Sequence, residues 1–82
     1  ATGWIQNTNN WPYSAAGSAS PKREAYPRYM DGVGENPRGV HAVQLLEGRR
    51  DFTLPGLIDA AYDPWMPAFA EMLPPLVAAW DR

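Results

Sequence analysis

The C-terminal half of the chain places apolar residues at three- and four-residue steps, which is the spacing of an amphipathic helix. Asn36 and Pro37 together form a helix start, because asparagine caps helices and a proline at the first helical position lacks an N–H that would be unpaired anyway. Gly48 is suited to end the same helix. The pattern therefore predicts a first helix over residues 37–47.

Two more helices are predicted after it. Thr53 is a capping residue in front of an apolar pattern, which predicts a second helix over residues 54–62. Asp63-Pro64 repeats the cap-and-proline arrangement and predicts a third helix over residues 64–81, whose apolar face is expected to form the main core. The residues of that face are Trp65, Met66, Phe69, Met72, Leu73, Leu76, Val77 and Trp80.

Two adjacent prolines, Pro74 and Pro75, interrupt the third helical pattern. A proline inside a helix removes a hydrogen bond and clashes with the carbonyl four residues back, at a cost of about 3 kcal/mol. We therefore expect a sharp kink, or two abutting helices, at residues 74–75.

The first part of the chain shows no sustained helical period. Residues 4–6 (Trp-Ile-Gln) predict a short strand, which breaks into a turn at residues 7–10 (Asn-Thr-Asn-Asn). Residues 14–27 are rich in Ser, Ala, Gly and Pro and predict a loop, and residues 31–34 predict a turn.

These elements predict a mainly α fold class, with an extended arm over residues 1–35 and a helical subdomain over residues 36–82. At 82 residues the chain forms one small domain at most, and such a core rarely supplies more than about 3–5 kcal/mol without a disulfide, metal or partner. There is no cysteine, and most of the nine prolines and seven glycines lie in the arm and at helix junctions. We therefore expect the arm to depend on a partner surface.

The charge pattern argues against nucleic acid as a partner. The formal net charge is −2 and the pI is about 5.1, and the seven basic residues are scattered rather than clustered. The basic doublets at residues 22–23 and 49–50 each adjoin an acidic residue, as in solvated loops. No apolar stretch is long enough to span a bilayer, so no membrane span is predicted.

The sequence offers little for metal chemistry or for a self-contained catalytic triad. His41 is the only histidine and there is no cysteine, so a metal site is not predicted and His41 is expected to be structural. A serine hydrolase would need Ser, His and an acid brought together, but Ser14, Ser18 and Ser20 all lie in the loop of the arm.

The run Asn7-Thr8-Asn9-Asn10 is the densest group of side-chain amides, and it lies between aromatic residues. Each Asn carries two N–H donors and one acceptor, so the run can hold a turn together or aim a donor at a developing negative charge. Spacing alone favours the turn. Arg38 also needs an explanation, because the second position of a helix is unfavourable for a cation.

Residues 3–12, Gly-Trp-Ile-Gln-Asn-Thr-Asn-Asn-Trp-Pro, resemble a segment of penicillin acylase-like N-terminal-nucleophile hydrolases. In that family a Gly-aromatic-Ile strand runs into Asn-x-Asn-Asn. Further family-like elements follow in the same order along nearly the whole chain, and their joint order is more specific than any one of them. These elements are Tyr26-Pro27, Arg38, Leu45-Leu46-Glu47, Thr53, Leu73-Pro74 and Trp80-Asp81.

The resemblance implies catalytic roles for Asn9 and Arg38. The second Asn of the family's run, which is Asn9 here, donates its amide to the oxyanion of the tetrahedral intermediate. The Arg at the register of Arg38 lies beside the nucleophile and that Asn, and it adds positive potential to the site. Asn10 is expected to hold the turn. Aromatic residues that either line an acyl pocket or pack on the parent's sheet are Trp4, Trp11 and Tyr13.

The resemblance also implies which parts of the enzyme lie elsewhere. The family's nucleophile is a Ser, Cys or Thr at the N-terminus of the large subunit, with the free α-amine as base. This chain begins with Ala1, so we expect an internal fragment of the large (beta) subunit of an αββα enzyme, inactive when isolated.

Its expected partners are the remainder of the parent acylase and a small-molecule acyl-amide substrate. No cofactor is expected in this segment, although the parent can carry a structural calcium ion. Members of the family are commonly periplasmic or secreted. The alternative is a non-catalytic helical module whose exposed aromatic residues bind another protein, since the chain lacks both the nucleophile and the family's sheets.

Overall fold

The computed structural model describes residues 2–30 and 34–82. Helix α1 spans Pro37–Leu46, helix α2 spans Leu54–Ala61 and helix α3 spans Pro67–Trp80. The mainly α fold class is therefore confirmed, whereas the division between arm and helical subdomain at residue 35 stays a prediction. The described part of the arm contains short 3-10 turns at Pro12–Ser14, Gly17–Ala19, Arg23–Ala25 and Arg28–Met30.

No strand occurs among the described residues, so the strand predicted over residues 4–6 is wrong. A strand needs a neighbouring backbone, and the bond from the Gln6 N–H to the Ala15 carbonyl (2.8 Å) is the one described backbone bond that those residues make. The segment therefore does not form a ladder. Of the turn predicted over residues 31–34, only Gly34 belongs to the described part.

Polar side chains hold the first part of the arm together. Gln6 Nε2 donates to the Ser14 carbonyl at 3.2 Å, and Thr2 Oγ1 donates to the Ala16 carbonyl at 2.8 Å. Ser20 Oγ accepts from the Ala16 N–H at 2.8 Å. Gln6 and Ser20 are buried, and their hydrogen bonds compensate part of the cost of removing polar groups from water, although Gln6 Oε1 has no partner among the described residues.

The predicted starts of α1 and α2 are confirmed by their caps. Asn36 Oδ1 accepts from the Gly39 N–H at 2.8 Å, and Pro37 occupies the first helical position. Thr53 Oγ1 accepts from the Gly56 N–H at 3.1 Å. Each cap satisfies one of the backbone donors that a helix start leaves unpaired, so these short patterns fix where both helices begin.

Helix α3 begins at Pro67, not at Pro64 as the sequence predicts. Asp63 Oδ1 accepts from the Trp65 N–H at 3.0 Å and lies 2.8 Å from His41 Nε2. The carboxylate thus closes a local turn and contacts α1 instead of capping a helix. The predicted start is wrong because a partner distant in sequence competes for the capping side chain.

The break predicted at residues 74–75 is also wrong, because α3 continues through Pro74 and Pro75. The two prolines deprive the carbonyls of Ala70 and Glu71 of their helical donors. Both residues are exposed, so water can bond these carbonyls while the helix continues.

No hydrophobic side chain among the described residues is buried. Helix α3 packs against α1, yet every residue from 69 to 80 is exposed. The Cα radius of gyration is 15.8 Å, compared with about 12 Å for a globular chain of this length. The prediction that α3 provides the main core is therefore wrong for this chain, because no second layer covers its apolar face.

None of the described helices is both long enough and apolar enough to cross a membrane.

Candidate functional site

The asparagine run forms a turn that is closed by its own side chains. Asn7 Oδ1 accepts from the Asn9 N–H at 2.9 Å, and Asn10 Oδ1 accepts from the Thr8 N–H at 3.3 Å. Asn9 has a φ of +61° and is the one non-glycine residue with positive φ in the described part. Asparagine tolerates this left-handed conformation better than most residues, so both the turn and its backbone favour Asn here.

The turn docks on the first turn of α1. Asn36 Nδ2 and Arg38 Nη2 both donate to the Thr8 carbonyl, at 3.0 Å and 2.9 Å. Arg38 Nη1 and Nη2 each lie 3.4 Å from Asn9 Oδ1. The structure therefore brings the two predicted catalytic residues, Asn9 and Arg38, together across 29 positions of sequence. The Thr8 carbonyl and the Asn9 amide oxygen are acceptors for Arg38, and they offset the unfavourable position of a cation at a helix start.

The contact with Arg38 determines which end of the Asn9 amide faces the helix. A guanidinium group has only donors, so it selects the amide oxygen and turns the NH2 group away. Asn9 Nδ2 donates to no residue that the structure describes, and the Asn9 side chain is exposed. Two oriented N–H donors are consequently available to an acceptor from outside the turn.

Two sources of positive charge lie beside the Asn9 amide oxygen, and the ionised Glu35 carboxylate, bonded to the neighbouring Asn10, partly offsets them. Arg38 carries a full positive charge, and the start of α1 contributes the positive end of the helix dipole. Both act at the amide oxygen side and polarise the side chain, so its N–H groups become stronger donors. The arrangement can stabilise an anion placed at Asn9 Nδ2.

A cleft of about 450 Å³ lies beside the turn. It is lined by Asn9, Asn10, Trp11, Gly34 and Asn36. Three amide side chains, those of Asn9, Asn10 and Asn36, therefore share one concave surface with the ring of Trp11. This composition suits a ligand that has both a polar group and an apolar part.

Of the three aromatic candidates for substrate binding, only Trp11 lines this cleft. The ring of Trp4 instead lies against Gly17, whose φ of +56° and close approach both require glycine. The ring of Tyr13 pairs with that of Tyr26 at a centroid distance of 6.3 Å. Trp4 and Tyr13 thus have structural contacts in this chain, and a substrate role for any of the three stays a prediction.

Glu35 forms a network that the sequence did not reveal. Its carboxylate accepts from Asn10 Nδ2 at 2.5 Å, from the Asn36 N–H at 3.0 Å and from the hydroxyl of Ser14. Desolvation raises the pKa of Glu35, but the hydrogen bonds from Ser14, Asn10 and Asn36 together hold that pKa below its usual value. The only signal in the sequence is that an acid directly precedes a helix cap.

Gly39 provides the space in which this network sits. It is the one buried residue of α1. A Cβ built on Gly39 would lie 2.6 Å from Asn10 Nδ2 and closer still to Glu35 Oε1. Any larger residue would therefore displace the pair that joins the asparagine turn to the helix start.

A second, more apolar groove of about 320 Å³ runs between the starts of α1 and α3. Its lining residues are Pro37, Arg38, His41, Trp65, Met66, Pro67, Ala68 and Phe69. The His41–Asp63 pair lies at this groove, with the imidazole mostly shielded and the carboxylate more open. The Trp65 N–H and then His41 hold the pKa of Asp63 below its usual value.

The networks of Ser14 and His41 are separate. The Ser14 hydroxyl donates to Glu35, while the His41 imidazole meets Asp63, so the structure does not assemble a Ser-His-acid triad from them. Among the residues that the structure describes, no three His, Asp or Glu side chains are grouped so that they could hold a metal ion. The site offers the amide donors of Asn9, the positive charge of Arg38 and the negative charge of the Glu35 carboxylate.

Comparisons of the chain with models of known protein families, with curated proteins and with solved structures give no match.

Proposed function

We propose that this chain supplies the oxyanion-stabilising side of a penicillin acylase-like active site that hydrolyses amides. The observation that carries the proposal is the contact of Arg38 with Asn9 Oδ1, which leaves both N–H groups of Asn9 Nδ2 oriented and without a partner in the described chain. The same two residues are those that the sequence resemblance singles out. Their cleft also holds Trp11, which suits an acyl group.

In this mechanism Asn9 acts when the carbonyl oxygen of the substrate becomes an oxyanion. The amide N–H groups bond that oxygen more strongly in the transition state than in the bound substrate, so they lower the barrier. Arg38 and the turn hold the amide in place beforehand, and little reorganisation is needed as charge develops. One donor of this kind is typically worth about 10²–10³ in kcat.

The nucleophile and the base come from outside this chain. In the proposed reaction, an N-terminal hydroxyl or thiol of the larger protein attacks the amide carbon and its own α-amine takes the proton. As the intermediate collapses, the α-ammonium returns its proton to the leaving nitrogen, the C–N bond breaks and the amine departs. Water then hydrolyses the acyl-enzyme, which releases the acid and restores the nucleophile. The isolated chain should therefore not turn over phenylacetyl, glutaryl or long-chain acyl amides, and turnover that survives repurification would refute this division of roles.

The exposed apolar faces support an assignment to a larger protein. The side chains of α3 have no covering layer, and a contiguous apolar surface of this kind marks an interaction site. In the proposed enzyme the remaining subunit segments cover it, and the whole is periplasmic or secreted. An upstream autoprocessing junction such as Gly-Ser, followed by strand-rich sequence, would support the acylase.

Two substitutions at Asn9 test the proposal in the full protein that carries this chain. Asn9→Gly retains the left-handed backbone and deletes the amide, so kcat should fall about 10²–10³ while KM changes little. Asn9→Asp retains an oxygen for Arg38 but replaces the N–H donors with a negative charge. It should lower kcat at least as much as Asn9→Gly does. Gln44→Ala removes an exposed amide of α1 and serves as the control. A folded Asn9→Gly enzyme with normal kcat would show that the amide only shapes the turn.

The same exposed surface favours a second candidate, a helical module that binds another protein without catalysis. Its large exposed residues include Trp65 (55%), Phe69 (50%) and Trp80 (88%). This candidate predicts that Phe69→Ser abolishes capture of a partner while Asn9→Gly has no effect. If the chain belongs to an acylase, Asn9→Gly should lower turnover more than Phe69→Ser does. The two variants therefore separate the two candidates.

A further inference from the structure

We infer that Glu35 is a positioning residue, which holds the asparagine turn against α1 in the space left by Gly39 and thereby fixes the Asn9 amide on Arg38. The catalytic consequence rests on the proposed function, whereas the structural coupling does not. Glu35 touches neither Asn9 nor Arg38 in the described contacts, so its effect is transmitted through Asn10 and Asn36.

The carboxylate joins three segments of the chain, and it adds to two direct links among them, from Asn10 Nδ2 to Ser14 Oγ at 3.3 Å and from Asn36 Nδ2 to the Thr8 carbonyl. Oε1 accepts from Asn10 in the turn and from the backbone of Asn36 at the cap of α1, and Oε2 accepts from Ser14 in the first 3-10 turn. Ser14 is in turn bonded through its carbonyl to the buried Gln6. One ionised group therefore fixes the two ends of the turn relative to the helix from which Arg38 projects.

The geometry requires a charged acceptor more than a neutral one. Three donors converge on two oxygens, and hydrogen bonds to an ionised acceptor are about twice as strong as neutral ones. The lowered pKa of Glu35 is consistent with this, since donors that favour the carboxylate outweigh its desolvation. A glutamine at this position could keep one oxygen for Asn10 and Asn36 and offer its NH2 to Ser14.

Gly39 and Gly56 provide a matched pair for the test. Both occupy the third position of their helix, and each donates its N–H to the capping side chain, Asn36 or Thr53. A Cβ at Gly39 collides with Asn10 and Glu35, whereas a Cβ at Gly56 meets only Thr53 Oγ1, at 3.2 Å. Substitution by alanine changes the helix propensity equally at the two positions. Only Gly39→Ala disturbs the hydrogen bonds of Glu35.

The experiment uses four variants of the full protein, Glu35→Ala, Glu35→Gln, Gly39→Ala and Gly56→Ala. Crystal structures report the separation of Asn9 Oδ1 from the Arg38 guanidinium, and kinetics report kcat and KM separately. Glu35→Ala and Gly39→Ala should lengthen that separation by about 1 Å or more and lower kcat by roughly 10²-fold with KM little changed.

Glu35→Gln should recover part of kcat at neutral pH, because its one amide oxygen can still accept from Asn10 and Asn36 while its NH2 group faces Ser14. It should also remove the acid limb that protonation of Glu35 adds to the pH profile. Gly56→Ala should behave as the unmodified protein. A general loss of stability would not reproduce this split between kcat and KM or the rescue.

The outcomes separate the inference from the proposed function. If Glu35→Ala leaves the Asn9–Arg38 separation and kcat unchanged, the positioning role is wrong even when Asn9→Gly is inactive. If Glu35→Ala separates Asn9 from Arg38 but Asn9→Gly retains full kcat, the coupling stands and the oxyanion function is wrong.

Discussion

At the scale of single residues, the backbone of Asn9 decides which substitution is informative. Its φ of +61° lies in the left-handed region, which costs a residue with an ordinary Cβ about 1–2 kcal/mol. We expect Asn9→Ala to be less stable than Asn9→Gly by about 1 kcal/mol, although alanine is normally the better residue. Urea denaturation of the two variants of the full protein measures the difference.

The control is the neighbouring Asn7, whose φ is not positive. Both Asn7→Ala and Asn7→Gly lose the bond to the Asn9 N–H, so only the ordinary preference for alanine distinguishes them. The order of stability should therefore be reversed at Asn7. The same order at both positions would contradict the role assigned to the backbone of Asn9.

The sequence singled out Asn9 and Arg38, whose catalytic roles stay predictions, but not Glu35 or Gly39. Asn9 and Arg38 stand out from local patterns, an amide run and a cation at an unfavourable helix position. Glu35 acts through bonds to Ser14 and Asn10, 21 and 25 positions away, and no spacing rule connects them. The role of Gly39 depends on what surrounds it, which only a folded chain reveals.

At the scale of secondary structure, the capping residues of α1 and α2 differ in the further hydrogen bonds that they make. Asn36 caps α1 and also donates through Nδ2 to the Thr8 carbonyl, whereas Thr53 only caps α2. Loss of either cap should cost about 0.5–2 kcal/mol. Asn36→Ala should in addition release the asparagine turn, which faster hydrogen exchange at residues 7–10 would report. Thr53→Ala should leave exchange there unchanged.

Equal protection of the turn in both variants would show that Asn36 contributes nothing beyond its cap. Asn36→Asp is a useful third variant, because it retains the capping oxygen and loses only the donor to Thr8.

The prolines of α3 give a prediction of stabilisation. Pro75→Ala restores an N–H donor for the Glu71 carbonyl inside the helix and should stabilise α3 by up to about 3 kcal/mol. Pro67 occupies the first helical position, where no such donor is missing, so Pro67→Ala should change little. Hydrogen exchange along α3 measures the stability of the helix in both variants. Equal protection in Pro75→Ala and Pro67→Ala would contradict a helix that continues through Pro75.

Capping residues and apolar spacing predicted that the helices exist better than they predicted where each helix begins and ends. The caps at Asn36 and Thr53 act on their own helices, so sequence spacing was sufficient. Asp63 carries the same signal but bonds His41, and the prolines of α3 are tolerated because water reaches the carbonyls around them. Both corrections come from surroundings that a sequence pattern does not contain.

At the scale of the whole molecule, two carboxylates make the attachment of segments depend on pH. Glu35 joins the arm to α1, Asp63 joins α1 to the segment before α3, and both have a pKa below the usual value. A lowered folded pKa stabilises the fold fully above the unfolded pKa of about 4, and this stability is lost as pH falls through the folded pKa. Tryptophan fluorescence should report loosening below about pH 4.

The double variant Glu35→Gln and Asp63→Asn should flatten this acid dependence, since neither amide titrates in that range. Glu24→Gln is the control, because it changes an exposed acid of the arm outside both networks. An unchanged acid transition in the double variant would place its origin elsewhere in the chain.

The absence of buried hydrophobic side chains also has a calorimetric consequence. Unfolding of a globular protein raises the heat capacity by about 12–15 cal/mol/K per residue, because apolar groups become hydrated. In the isolated chain none of these groups is fully buried wherever the structure describes them, so the increment per residue should be smaller. A heating scan should then show a gradual slope without a sharp endotherm, and cooling should change its structure as little as moderate warming does.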